Sequence, residues 1–114
     1  MEFTGDLKKE YWHITVTGKF NIEDIDGLFQ AISEPKRVNV LINCLQLKKT
    51  NLSYSDRYNL VLKAEELLNK EMRYAVIFPK KDINYFWVNN ALKFGLRVNI
   101  FPTTIAGKKW LLKD

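Results

Sequence analysis

Two serines near the middle of the chain are the best candidates for a chemical role. Ser53 and Ser55 flank Tyr54 and are followed by Asp56 and Arg57. A phosphate on a serine at the start of a helix is stabilised by the free backbone N–H groups and by the helix dipole. Serine is also a common helix N-cap, which by itself accounts for these residues. Ser53, Ser55 and Asp56 are therefore candidates for a phosphoacceptor or partner-binding site, with a plain N-cap as the alternative.

Asn43 and Cys44 follow an apolar run that predicts a buried strand. Ligands of open α/β sheets bind beyond the carboxyl ends of strands, so Asn43 is a candidate for orienting a ligand or a partner's backbone. The alternative is that Asn43 bonds the loop that follows it, as asparagine does in turns. Cys44 is the one cysteine, so an internal disulfide is excluded. A lone cysteine usually behaves as a small buried hydrophobe.

Catalytic and metal-binding motifs are absent from the sequence. His13 is the one histidine, and with one cysteine it provides too few ligands for a zinc site. There is no glycine-rich phosphate loop, no Ser-His-Asp order and no recognisable pair of catalytic carboxylates. We therefore predict a protein that is not an enzyme and that needs no cofactor and no metal.

Three consecutive aromatic residues, Tyr85, Phe86 and Trp87, lie in a segment with helical spacing. They cannot all face one core, because each helical residue turns by about 100°. Tyr85 and Trp87 are candidates for an exposed aromatic patch that binds a partner or a lipid, next to Lys80 and Lys81. If Phe86 and Trp87 face inward, Tyr85 lies outside. The alternative to a binding patch is a half-buried helix edge.

The composition is that of one ordinary globular domain spanning residues 1–114. The chain is 46% hydrophobic and 27% charged, with a net charge of +5. Its basic residues come as scattered pairs rather than in a run of five or more, so nucleic-acid binding is not expected. No apolar run approaches the roughly 18 residues of a membrane helix, and the N-terminus lacks the features of a signal peptide. We therefore expect a cytoplasmic location.

Two strands followed by alternating helices and strands predict an α/β domain. The order is ββαβαβαβα, with a central mixed sheet of about five strands and about four helices. The predicted strands are 3–9, 11–17, 38–42, 73–78 and 97–101, and residues 44–51 are predicted as a polar loop. The predicted helices are 21–33, one that Ser53 or Ser55 caps and that runs to about residue 70, 82–94, and one that starts at Thr103 or Thr104. The inner faces of the second and last helices are predicted as Tyr54, Tyr58, Val61, Leu62 and Leu68, and as Ile105, Ala106, Trp110 and Leu111.

The leading hairpin is predicted to form an antiparallel edge of the sheet. Exposed sheet edges in native proteins are usually covered or paired. A homodimer is therefore one possible state of the protein, and the sequence leaves monomer and dimer open.

Three segments in this order resemble the SpoIIAA-like branch of the STAS superfamily, which is named for sulfate transporters and anti-sigma-factor antagonists. They are Gly18–Asp24, Val38–Asn43, and Val98–Pro102 with Ala106 and Trp110-Leu111 behind it. The resemblance covers residues from about 11 to 112, and it implies a non-enzymatic bacterial domain that binds a kinase-like protein partner. In the family, a serine in an Asp-Ser-Ser-Gly-type motif is phosphorylated at the start of a helix. Here Asn43 aligns with the aspartate at the strand end, and the acid at Asp56 follows the serines.

The resemblance also implies an alternative function. Some relatives are discussed as binders of lipid-like or small apolar ligands, which points to a carrier or sensor. That alternative predicts an apolar cavity of about 300 Å³ or more between the helices and the sheet.

Overall fold

A computed structural model describes residues 1–35, 37–48 and 52–113. These residues form one five-stranded sheet with four helices. The strands are β1 (Glu2–Leu7), β2 (Tyr11–Lys19), β3 (Asn39–Lys48), β4 (Arg73–Ile77) and β5 (Arg97–Phe101). The helices are α1 (Ile25–Ser33), α2 (Tyr54–Leu67), α3 (Phe86–Lys93) and α4 (Thr104–Leu111), with 3₁₀ turns at Ile22–Asp24 and Lys80–Asp82.

The strands lie in the sheet in chain order, β1-β2-β3-β4-β5. β1 and β2 pair antiparallel, and the other three pairs are parallel. The predicted α/β class, the ββαβαβαβα order and the antiparallel leading hairpin are therefore confirmed. Because each parallel strand is followed by a helix, the helices have to cover the faces of the sheet.

Alternate residues of the inner strands serve two separate parts of the core. In β3, Val40 and Ile42 pack with α1, α2 and α3, whereas Leu41 packs on the side of α4. In β4, Tyr74 belongs to the first cluster, and Ala75 belongs to the second. This period of two follows from the alternation of side chains along a strand. It places α1, α2 and α3 on one face of the sheet and α4 on the other.

The predicted polar loop at residues 44–51 is wrong for residues 44–48, because β3 continues to Lys48. β2 is also longer than predicted, and its last residues, Thr17 to Lys19, pair with Gln46 to Lys48 after a register shift. Polar side chains in this stretch are exposed on a strand that is hydrogen-bonded through its backbone. Residues 49–51 lie outside the described part of the chain.

The predicted helix 82–94 is shorter than expected and begins at Phe86. Pro79 precedes a 3₁₀ turn, and the side chain of Asn84 then accepts a hydrogen bond from the backbone N–H of Phe86 at 3.1 Å. An asparagine that bonds the backbone two residues on favours a turn over a continuous helix. The helix ends where the sequence predicts, with Gly95 at a positive φ of 79°.

Two predicted inner faces are partly wrong. On α2, Leu60 and Val61 are buried, whereas Tyr54, Tyr58 and Leu62 are exposed. On α4, Gly107 and Leu111 are buried, whereas Ile105 is exposed. Gly107 lets α4 lie close to the sheet, so the contact face of this helix passes through the glycine and turns Ile105 outward.

Candidate functional site

The N-cap of α2 is Ser53, one of the two serines predicted as candidates for this cap. Its backbone is extended (φ −65°, ψ 161°), and its hydroxyl accepts a hydrogen bond from the backbone N–H of Asp56 at 3.1 Å. Ser53 and Ser55 are both exposed, and Asp56 is half-buried. Both hydroxyl groups are therefore at the protein surface, at the positive end of a helix of 14 residues.

Asn43 lies inside β3 rather than at its end, which corrects its predicted position. It pairs with Thr15 of β2 and Ile77 of β4. Its side-chain oxygen accepts a hydrogen bond from the backbone N–H of Leu45 at 3.1 Å. The side chain thus bonds the backbone two residues on, which is the predicted alternative, at the point where the pairing of β2 with β3 shifts register.

Three side chains of α2, Tyr54, Tyr58 and Leu62, recur every four residues and form a surface that we call the α2 aromatic face. Their exposed fractions are 70%, 37% and 40%. The rings of Tyr54 and Tyr58 stack with 6.5 Å between centroids, and Tyr54 meets Phe86 of α3 edge-on at 5.2 Å. These ring contacts group the two exposed tyrosines with Phe86 at the surface. Exposed aromatic side chains are typical of protein-binding surfaces.

Tyr85 and Trp87 do not share one exposed patch. Tyr85 is 57% exposed, directly before α3. Trp87 is half-buried, and its ring packs edge-on against Phe86 at 6.2 Å and against the core. The prediction of exposure is therefore wrong for Trp87, because the first turn of α3 directs it toward the sheet, as the alternative of a half-buried helix edge has it.

A cavity of about 170 Å³ lies between α1, α2, α3 and the sheet. It is smaller than the 300 Å³ that the carrier alternative predicts, and it opens partly to solvent. Its walls are mainly aliphatic and aromatic, with contributions from all three helices and from β3, β4 and β5. Polar members of the lining are Arg57, Tyr74, Asp82 and Asn84.

Cys44 lines this cavity and is buried, as predicted. Removal from water disfavours the thiolate and raises the pKa of Cys44 to about 12. A reactive cysteine needs a lowered pKa. The thiol of Cys44 is therefore unreactive and serves as a part of the apolar wall.

Arg57 is a half-buried cation at the cavity. Its backbone N–H closes the first turn of α2 onto the carbonyl of Ser53 at 3.0 Å. The ion pairs among the described residues involve other groups, and the guanidinium has no hydrogen-bond partner among those residues. Its charge is therefore available to a molecule that enters the cavity.

His13 lies on β2, half-buried, and burial lowers its pKa below the usual histidine range. Among the described residues, no three His, Cys, Asp or Glu side chains are grouped closely enough to hold a metal ion.

None of the described helices has the length and apolarity that crossing a bilayer requires.

No protein-family model and no curated protein matches the sequence. Solved structures do match. One of them is the crystal structure of an uncharacterized protein of the DUF3478 family with a SpoIIAA-like fold, from Shewanella loihica PV-4. The TM-score is 0.54 at 17% sequence identity, and the match covers 96% of this chain and 92% of that chain.

The fold is SpoIIAA-like. At this sequence identity the similarity establishes the fold alone, and shared fold does not convey function. It confirms the fold that the three sequence segments imply. In this SpoIIAA-like domain, α2 carries both features found above, since one side presents the α2 aromatic face and the other side lines the cavity.

Two features of this site were missed at the sequence level, namely the exposure of Tyr54 and Tyr58 and the place of Arg57 at the cavity. The sequence of α2 has apolar residues on two sides of the helix, because Leu60 and Val61 lie between the positions of the α2 aromatic face. The spacing therefore allows two inner faces. The signal that separates them is residue type, since tyrosine is less often fully buried than leucine or valine.

Proposed function

We propose that this chain is a non-enzymatic, single-domain regulatory module of the bacterial cytoplasm that binds a protein partner through the α2 aromatic face. The observation that supports it is the exposure of Tyr54, Tyr58 and Leu62 at four-residue spacing on one helix. Exposed apolar surface costs solubility, and proteins usually keep it where a partner covers it. The partner is a kinase-like protein or a second copy of the chain.

The position of this face supports the proposal further. It begins at the residue after Ser53, at the helix start where the resemblance places the regulated serine. A phosphate on Ser53 or Ser55 would add charge next to Tyr54 and within reach of Asp56 and Arg57. Such a modification would change the polarity of the α2 aromatic face directly. Because Asp56 lies beside both serines, we include it in the proposed partner-binding region.

Site-specific photo-cross-linking in the native cells tests the protein-binding proposal. A benzoylphenylalanine is introduced at Tyr54, where it resembles the native ring, and in a second protein at Lys109. Lys109 is exposed on α4, on the opposite face of the sheet, and serves as the matched control. We expect a discrete cross-linked protein from position 54 that is absent from position 109 and that is lost when Tyr58→Ser is added.

The mass of the cross-linked product identifies the kind of partner. Twice the mass of the chain means a second copy, and any other discrete mass means a different protein. Equal products from positions 54 and 109, or none from position 54, would show that the α2 aromatic face is not a binding surface.

Phosphorylation is tested separately by the intact mass of the protein purified from its own cells. An added phosphate that maps to Ser53 or Ser55 and that phosphatase removes would support regulation at this helix start. A bare chain under several growth conditions would remove phosphorylation from the proposal and leave protein binding to be judged by cross-linking.

The second candidate function is the binding of a small apolar ligand, as a carrier or sensor. The cavity between the helices and the sheet favours it. Its volume of about 170 Å³ limits the ligand to a small molecule rather than a whole lipid. Native mass spectrometry of the same protein distinguishes this candidate, because bound ligand mass is lost on denaturation, whereas phosphate is retained.

A further inference from the structure

We propose that the cavity binds a small apolar carboxylate, with its hydrocarbon body inside and its carboxylate paired with Arg57. This inference rests on the second candidate function and names its ligand class. Three observations lead to it: the volume of the cavity, the apolar character of its walls, and the available charge of one half-buried arginine.

The volume sets the size of the hydrocarbon body. The cavity measures about 170 Å³. An apolar protein cavity of about 150 Å³ binds benzene, so a body of roughly six to eight carbons matches this one. Because the cavity is partly open, the head group of such a ligand can reach the solvent side while the body stays inside.

The walls favour hydrocarbon over polar ligands. Aromatic rings come from different parts of the fold, including Phe29 of α1, Phe78 after β4 and Trp87 of α3. Two of the polar residues in the lining already accept a hydrogen bond through their side-chain oxygen. The Asn84 side chain accepts from the N–H of Phe86, and the Tyr74 hydroxyl accepts from the N–H of Asn69 at 3.0 Å.

The remaining polar residues in the lining are Arg57 and Asp82, and they differ in exposure. Asp82 is exposed on its 3₁₀ turn, directly after Lys80 and Lys81, so water and neighbouring lysines screen its charge. Arg57 is half-buried and has no anionic partner among the described residues. A guanidinium pairs with a carboxylate through two parallel hydrogen bonds. A carboxylate head group therefore interacts with Arg57 more strongly than a neutral or a cationic head group does.

Three probes with the same eight-carbon body test the ligand class by isothermal titration calorimetry, namely octanoate, 1-octanol and octylammonium. We expect octanoate to bind at least tenfold more tightly than octanol, because one charge-assisted hydrogen bond alone contributes about that factor. Octylammonium is expected to bind more weakly than octanol. In Arg57→Gln, the advantage of octanoate is expected to disappear, whereas the affinity for octanol stays within about twofold.

A matched control is Arg37→Gln, which removes an equal charge from a residue that pairs with Glu71 away from the cavity. It is expected to leave all three affinities unchanged. A second variant, Ala91→Leu, fills the cavity from α3, where Ala91 is buried, and is expected to weaken octanoate and octanol alike. Circular dichroism establishes that each variant is folded.

The outcomes separate this inference from the candidate function on which it rests. Equal binding of octanoate and octanol, or a preference for octylammonium, would overturn the carboxylate and leave the apolar site in place. Absence of binding by all three probes to the wild-type protein would overturn both. An octanoate preference that survives Arg57→Gln would show that the anion is held elsewhere.

Discussion

At the start of α2, the hydroxyl of Ser53 accepts a hydrogen bond from the backbone N–H of Asp56 at 3.1 Å. Ser53→Ala removes this acceptor and leaves one N–H of the first turn without its partner. We expect a loss of about 1 kcal/mol in the free energy of unfolding, measured by urea denaturation. Ser55→Ala is the matched control, because Ser55 lies within the helix and its hydroxyl caps nothing; we expect a change within about 0.5 kcal/mol.

If the two serine variants lose equal stability, the cap explanation of Ser53 is wrong. If the distinction holds, Ser53 has a structural role whether or not it is phosphorylated. Ser55 would then be the position at which a phosphate can be added without first breaking a cap.

Cys44 gives a second prediction at the level of single residues. Burial raises the pKa of its thiol to about 12, so at about pH 8 only roughly 10⁻⁴ of the groups are ionised. We expect Ellman's reagent to modify the native protein slowly and the guanidinium-unfolded protein rapidly and completely. Ser55→Cys adds an exposed thiol as an internal control, and one equivalent of that variant is expected to react at once. Rapid labelling of the native wild-type protein would show that the cavity wall opens readily.

Single residues with strong local preferences were predictable from the sequence. A serine cap at residue 53 or 55, Gly95 at the end of α3 and a buried Cys44 each follow from the chemistry of one residue type. Asn43 was only half predictable. Its bond to the next backbone segment follows from its type, but its place inside a strand depends on pairing with β2 and β4.

On the scale of elements, the contact of α4 with the sheet depends on Gly107. A Cβ built at this position lies 2.6 Å from Cδ1 of Ile77 and 3.5 Å from Cβ of Ala75, and both residues are fully buried. Gly107→Ala improves helix propensity by about 1 kcal/mol, whereas overpacking costs about 1–3 kcal/mol. We expect a net loss of about 1 kcal/mol in the free energy of unfolding, measured by urea denaturation.

The control for Gly107 lies on the same helix. Ile105→Ala truncates an exposed side chain and is expected to change stability by less than about 0.5 kcal/mol. If Gly107→Ala is as stable as the wild type, the Ile77 side chain or the helix shifts at little cost, and glycine is not required at this position.

The elements themselves were more predictable than their boundaries or faces. Apolar periodicity gives the number, type and order of strands and helices, because these depend on local spacing. It does not give the continuation of β3 to Lys48, which is stabilised by backbone bonds to the end of β2. It also cannot separate the two apolar sides of α2, since the choice depends on how α2 packs against α1 and α3.

On the scale of the whole molecule, chain order and sheet order coincide, so the charge asymmetry of the sequence becomes an asymmetry in space. Residues 1–35 contain three lysines and seven acids, a net charge of −4, and form β1, β2 and α1. The remaining residues carry 15 bases and six acids, a net charge of +9. An acidic partner is therefore attracted toward the β4 and β5 side of the sheet. Such steering weakens as salt increases.

The same topology predicts that both faces of the sheet unfold together. Trp12 lies on the face covered by α1, and its Nε1 donates to the carbonyl of Ala31 at 3.0 Å. Trp110 belongs to α4 and packs with the cluster around Leu41 on the other face of the sheet. Since β3 and β4 contribute side chains to both clusters, neither core can lose its strands without exposing the other.

Two proteins with a single tryptophan each test this coupling. One retains Trp12 and carries Trp87→Phe and Trp110→Phe; the other retains Trp110 and carries Trp12→Phe and Trp87→Phe. In each protein, the urea midpoint from fluorescence is expected to coincide with the midpoint from circular dichroism, because a single domain unfolds in one transition. An earlier fluorescence transition for Trp110 would mean that α4 detaches first. In that case residues 1–114 would not unfold as one cooperative domain, and a partner could expose the α4 face without unfolding the rest.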